Sequence, residues 1–165
     1  MMGYVLAFAG MNEDKHVTFL PSYGAEVRGG TANCTVVVSD EEIASPIASS
    51  PEFVVAMNYP SMIKYQNMVK PGGTMFLNSD LISEDPARDD INVVKAPVNT
   101  LAHEMKADRS LNMVMLGVVA VKTDMVSEDA LMSAIEKVLQ GKKKSLIEMN
   151  QNALKAGMKF AADNN

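Results

Sequence analysis

Between Phe19 and Cys34 the chain gathers most of the side chains it could use for chemistry: Tyr23, Glu26, Arg28, Thr31 and three of its ten glycines. Gly29-Gly30 opens backbone angles closed to other residues and lets a ligand or a second backbone come close. Arg28 beside them carries a permanent planar cation that matches carboxylate or phosphate. Thr31 and the amides around it could donate to an anion or a carbonyl. The same residues would also make an ordinary loop between two strands. Asn58 is a second candidate, because it follows an apolar, strand-like run, and open α/β sheets place ligands at the carboxyl ends of their strands. Other chemistries find little support. No Ser/His/Asp signature and no phosphate-binding P-loop occurs. His16 and His103 are the only histidines and lie far apart in sequence. Cys34 is the only cysteine. Lys142-Lys143-Lys144, the one basic run, fits a solvated linker better than a phosphate patch.

The elements that must position these residues follow from periodicity and turn signals. Met1 to Met11 is expected to be a helix with Met2, Val5, Leu6 and Ala9 apolar. His16–Leu20 is a short strand. From Thr31 to Ser39 the chain alternates, with Ala32, Cys34, Val36 and Val38 on one face, as a half-buried strand does. Cys34 is then a small buried hydrophobe. Phe53–Met57 is a continuous apolar run suited to a strand covered on both faces. A helix follows from Ser61 to Val69 and stops at Lys70-Pro71-Gly72-Gly73. Thr74–Leu77 and Ile91–Ala96 are strands, with a polar loop from Ile82 to Asp90 between them and a short helix near Thr100–Lys106 after them. Leu111–Val121 suits a buried helix or a strand. Ser127-Glu128-Asp129 starts a helix that carries Leu131, Ile135, Val138 and Leu139 and ends at Gly141. Ser145 to Glu148 forms a capping box for a last helix. Strands interleaved with helices predict a three-layer α/β/α sheet followed by a helical tail, in a single domain over residues 1–165.

Composition narrows the function. A net charge of −5 argues against broad nucleic-acid binding. The absence of Trp and the 5% aromatic content remove most base-stacking platforms. A single thiol permits no disulfide within the chain, cannot ligate an iron–sulfur cluster alone, and fits a reducing, cytoplasmic setting. The longest apolar runs fall short of the ~20 residues a membrane-spanning helix needs.

The run Phe19-Leu20-Pro21-Ser22-Tyr23-Gly24-Ala25-Glu26-Val27-Arg28-Gly29-Gly30-Thr31-Ala32 resembles the gamma subunit of the 2-oxoacid:ferredoxin oxidoreductases, most of all the 2-oxoglutarate type. The similarity continues through Phe53–Ser61 and Val69–Thr74 and covers most of the chain. It tips Leu111–Val121 toward a helix. The resemblance implies a non-catalytic subunit of a complex that oxidatively decarboxylates a 2-oxoacid with coenzyme A and passes electrons to ferredoxin. It implies alpha, beta and delta (ferredoxin-type) partner subunits. Thiamine diphosphate and iron–sulfur clusters would sit in those partners, with no cofactor held by this chain alone. Consistently, the Gly-Asp-Gly signature of a thiamine subunit is missing. It further implies that Tyr23, Arg28, Gly29, Gly30, Thr31 and Asn58 face the substrate or coenzyme A channel, or a partner subunit. The family's subunits usually begin with a strand and a glycine-rich turn, whereas this sequence starts inside the following helix. A sheet lacking that strand would have an exposed edge. Pyruvate, a branched 2-oxoacid or indolepyruvate stays open as the substrate, as does a free-standing small-molecule-binding domain.

Overall fold

A computed structural model describes residues 1–23 and 32–164. Arg28, Gly29, Gly30 and Thr31 lie outside the described residues. The chain is mixed α/β, in the order α1 (Met2–Asn12), β1 (His16–Tyr23), β2 (Ala32–Ser39), β3 (Phe53–Ala56), α2 (Tyr59–Tyr65), β4 (Thr74–Asn78), β5 (Asn92–Ala96), α3 (Val98–Glu104), α4 (Leu111–Thr123), α5 (Glu128–Val138) and α6 (Lys144–Asp163). These elements fall into two compact units. One comprises residues 1–23, 32–48 and 124–147, and the other residues 49–123 and 148–164.

In the first unit β1 and β2 form a two-stranded antiparallel sheet with Val17 opposite Val38, Phe19 opposite Val36 and Pro21 opposite Cys34. β1 runs three residues beyond the expected Leu20. Pro21 is tolerated because, among the described residues, neither strand has a second neighbour that would need its missing N–H. α1 lies on the face made by Val17, Phe19, Cys34, Val36 and Val38. Its glycines set the approach: a Cβ on Gly3 would come within 2.5 Å of Cys34 Sγ, and one on Gly10 within 2.8 Å of Val17. The expected face of β2 is therefore correct. The expected burial of Cys34 is not, because Cys34, although it faces Gly3 of α1, is exposed. Partial cover at Gly3 still desolvates the thiol and raises its pKa.

The turn after α1 is fastened to the start of α5. Glu13 Oε1 accepts from the Ser127 backbone N–H at 2.7 Å, and Lys15 Nζ donates to Met125 O at 2.7 Å. Ser127 caps α5 by accepting from Ala130 N, as its sequence predicts, and Leu131 and Ile135 are fully buried. α6 begins at Lys144, so Ser145 falls within its first turn rather than capping it.

In the second unit β3, β4 and β5 form a parallel sheet with β4 in the middle. β4 is the strand covered on both faces: Met75, Phe76 and Leu77 have no exposure. β3, an edge strand, buries fully only Ala56 and keeps Phe53, Val54 and Val55 half-buried. One face packs Ala56, Met75 and Leu77 with Met62 of α2, Val69 and Ile82. The polar segment between β4 and β5 is fixed by Arg88. Its guanidinium grips the Asp90 carboxylate at two points and donates to the carbonyls of Gln66 and Val69. Leu111–Thr123 is a helix, and Met113 through Val118 are buried all round it. α4 and α6 meet through two glycines. A Cβ on Gly117 would sit 2.8 Å from Met158 N and closer still to Leu154 O, and one on Gly157 would overlap the carbonyl of Val114.

Candidate functional site at the carboxyl edge of the parallel sheet

The three parallel strands end at Ala56, Asn78 and Ala96, and polar residues follow each of them. Strands this apolar must stop where water returns, and a carboxamide there can bond backbone groups that have left the ladder. Asn78 is the hub. It is 1% exposed, donates from Nδ2 to Asn99 Oδ1 at 2.8 Å and to Met57 O at 3.4 Å, and accepts from Asp80 N at 3.3 Å. It thus ties together the segments that leave all three strands. The Ser79 amide adds a bond to Ala96 O at 2.9 Å. Asp80 continues the chain of bonds: its carboxylate accepts from Thr100 N at 2.9 Å and from Thr100 Oγ1 at 2.8 Å, within the first turn of α3.

Asn58 stands on this edge, exposed, but its side chain has a structural task. It is the N-cap of α2, with Oδ1 accepting from Ser61 N at 3.0 Å and Pro60 early in the helix. This is why α2 starts at Tyr59, two residues before the expected Ser61. Tyr23 ends β1 opposite Ala32 and is 78% exposed. Tyr23 and Asn58 belong to different units. The expectation missed Asn78, Asp80, Asn99 and Thr100. Their signal lies in the sequence all the same, as Asn78-Ser79-Asp80 at the end of one strand and Asn99-Thr100 shortly past the end of the next.

The edge offers amides, carboxamides and one carboxylate, which suit orientation and hydrogen bonding rather than nucleophilic or metal chemistry. Among the described residues no three His, Cys, Asp or Glu are grouped to hold a metal ion. One thiolate does not make the donor set of an iron–sulfur cluster, so that group does not fit on this chain. No helix of the described residues is long and apolar enough to cross a membrane. Elsewhere, hydrogen bonds from Ser127 hold the Glu13 carboxyl below its ordinary range, and the Arg88 guanidinium does the same to Asp90.

Residues 1–160 match the family described as pyruvate ferredoxin/flavodoxin oxidoreductase. The chain is 35% identical over 164 residues to the ketoisovalerate oxidoreductase subunit VorA of Methanothermobacter thermautotrophicus, a match that covers 99% of this chain and 34% of that one. It therefore spans about a third of that relative's length. It is 32% identical to the 2-oxoglutarate synthase subunit KorC of Methanocaldococcus jannaschii, with 94% of this chain and 82% of that one covered. The crystal structure of the keto/oxoacid ferredoxin oxidoreductase gamma subunit from Geobacter sulfurreducens superposes with a TM-score of 0.82 at 26% identity, covering 98% of this chain and 90% of that one.

Proposed function

The chain belongs to the pyruvate ferredoxin/flavodoxin oxidoreductase family, and from that premise we propose that it is the gamma-type subunit of a 2-oxoacid:ferredoxin oxidoreductase, acting as one domain over residues 1–165. The observation that carries this reading is its match to most of the length of a KorC subunit. The reaction is the oxidative decarboxylation of 2-oxoglutarate, which with coenzyme A gives the acyl-CoA and carbon dioxide and sends two electrons to ferredoxin. Thiamine diphosphate and iron–sulfur clusters, when bound in the partner alpha, beta and delta subunits, supply the carbanion and electron-transfer chemistry. This chain's residues bind and orient. Arg28 holds an anionic group of coenzyme A or of the 2-oxoacid. Gly29 and Gly30 leave room for it and Thr31 donates to it; Tyr23 and Asn58, in different units, each face either the substrate or coenzyme A channel or a partner subunit. The complex works in the cytoplasm.

The identity to VorA over nearly the whole chain favours a second reading, in which the substrate is ketoisovalerate. Purifying the complex from its native host and comparing kcat/KM for 2-oxoglutarate, ketoisovalerate and pyruvate decides between them. A preference for 2-oxoglutarate is expected, and a preference for ketoisovalerate replaces it with the second reading. A complex that oxidises none of the three overturns both.

A further inference from the structure

Helix α1 has no charged residue from Met1 to Asn12. One side of it is accounted for within its own unit: Gly3 and Gly10 sit close on the β1–β2 sheet, and Val5, Ala7 and Ala9 are buried. The other side carries Tyr4, Phe8 and Met11, spaced i, i+4, i+7 on one face. Tyr4 is 51% exposed and Met11 58% exposed. Tyr4 is held in place by stacking on Phe8 at 6.3 Å and by packing on Phe19 of β1 at 4.6 Å. A helix whose outer face meets water normally carries charge there. α5, in the same unit, does so, with Glu136 and Lys137 on its exposed side. Aromatic and methionine side chains on a fixed helix face make an adaptable apolar docking surface.

We propose that the Tyr4–Phe8–Met11 face of α1 docks an uncharged, apolar surface of the subunit equivalent to the part of VorA that lies outside the match. Relatives carry this segment in two forms, as a third of one long polypeptide and as most of a short one. In the long form the remainder folds in covalent company with it. In the short form the same company must be kept by surface alone, and a charge-free stripe excludes a charged occupant. This inference rests on the subunit reading above.

The test co-expresses the full chain with the full-length polypeptide of the same genome that is similar to the unmatched part of VorA, and measures their dissociation constant. Met11→Glu is expected to weaken binding by about 30-fold or more, the effect of losing a buried hot spot. Tyr4→Glu should act in the same direction. Leu81→Glu, at an exposed apolar position of the other unit, should leave binding unchanged. A thermal melt checks folding, and Met11→Glu stands alone if Tyr4→Glu does not fold. Wild-type affinity in Met11→Glu overturns the docking face and leaves the subunit reading intact. No binding by the wild-type chain overturns both. An isolated chain that dimerises, and becomes monomeric in Met11→Glu while still binding its partner, overturns the proposal in favour of a second copy as occupant.

Discussion

Arg28 cannot lose its charge at any working pH, and it stands next to two residues without side chains. If it meets an anionic ligand in the assembled complex, Arg28→Ala should leave folding and assembly nearly intact and raise the KM for coenzyme A or the 2-oxoacid. A charged hydrogen bond of about 1.5–3 kcal/mol corresponds to a loss of roughly 10- to 150-fold. Steady-state kinetics with gel filtration checks this, and a complex that falls apart would instead put Arg28 at a subunit contact. Glu13 is a residue of the opposite kind, built for stability. Its carboxyl is depressed in the folded chain by its bonds to Ser127. A depressed carboxylate contributes stability that is complete above its unfolded pKa and is lost as the pH falls through the lower folded value. The wild-type chain should therefore lose thermal stability as the pH falls below about 4, and Glu13→Gln should flatten that loss; equal slopes in the two proteins would refute the assignment. Cys34 shows what single residues reveal on their own. Alternation placed it on the correct face, against Gly3. Its exposure depended on where the α1 helix stops covering the sheet, which periodicity does not encode.

At the scale of elements, α4 and α6 are the most demanding pair. Both helices give up a side chain so that backbones can touch: Gly157 against the carbonyl of Val114, Gly117 against Leu154 and Met158. A methyl group at Gly157 has no flexible neighbour to displace, since what it would overlap is main chain. Gly157→Ala should destabilise by about 1–3 kcal/mol through overpacking, a fall in Tm of roughly 2–12 °C for a chain of this size. A melt of the variant within one degree of wild type would show that the helices separate at no cost. Gly117 is a glycine inside a solid apolar run, a pattern that suits close packing once the run is a helix. Gly157 was legible as an inward residue of the last helix, but its contact with Val114 was not, because periodicity does not say which helix the inward face meets. Helix starts were legible where a side chain caps them, as at Ser127. They were misjudged at α2, where Asn58 caps two residues earlier than the periodicity suggests, and at α6, where the apparent box lies inside the first turn. The strand order of β3, β4 and β5 needed tertiary information, and with it the edge position of β3. The carboxylate and carboxamides that tie the strand ends together each lie at or near a strand end but pair across about twenty residues, Asn78 with Asn99 and Asp80 with Thr100.

For the whole molecule, the family was legible through one long run around Arg28 rather than through any assembled constellation of reacting groups. The described residues supply fixed backbone, caps and a polar sheet edge, and the chain's one thiol cannot hold a cluster. Oxidative decarboxylation of a 2-oxoacid needs an electron sink for the carbanion and a one-electron relay to ferredoxin, and neither is within the reach of side chains of these types. The pure chain should therefore show no reduction of a viologen dye with 2-oxoglutarate and coenzyme A. Adding the partner subunits should restore turnover, and leaving this chain out of the mixture should lower or abolish it. Three mixtures are compared: chain alone, partners alone, and all together. Turnover by the chain alone would mean that it carries a reacting centre of its own, contrary to its side-chain inventory. Full turnover by the partners alone would mean that the chain is dispensable for the reaction and contributes elsewhere. Activity only in the complete mixture, with KM for coenzyme A sensitive to Arg28→Ala, is the outcome that a binding and orienting subunit requires.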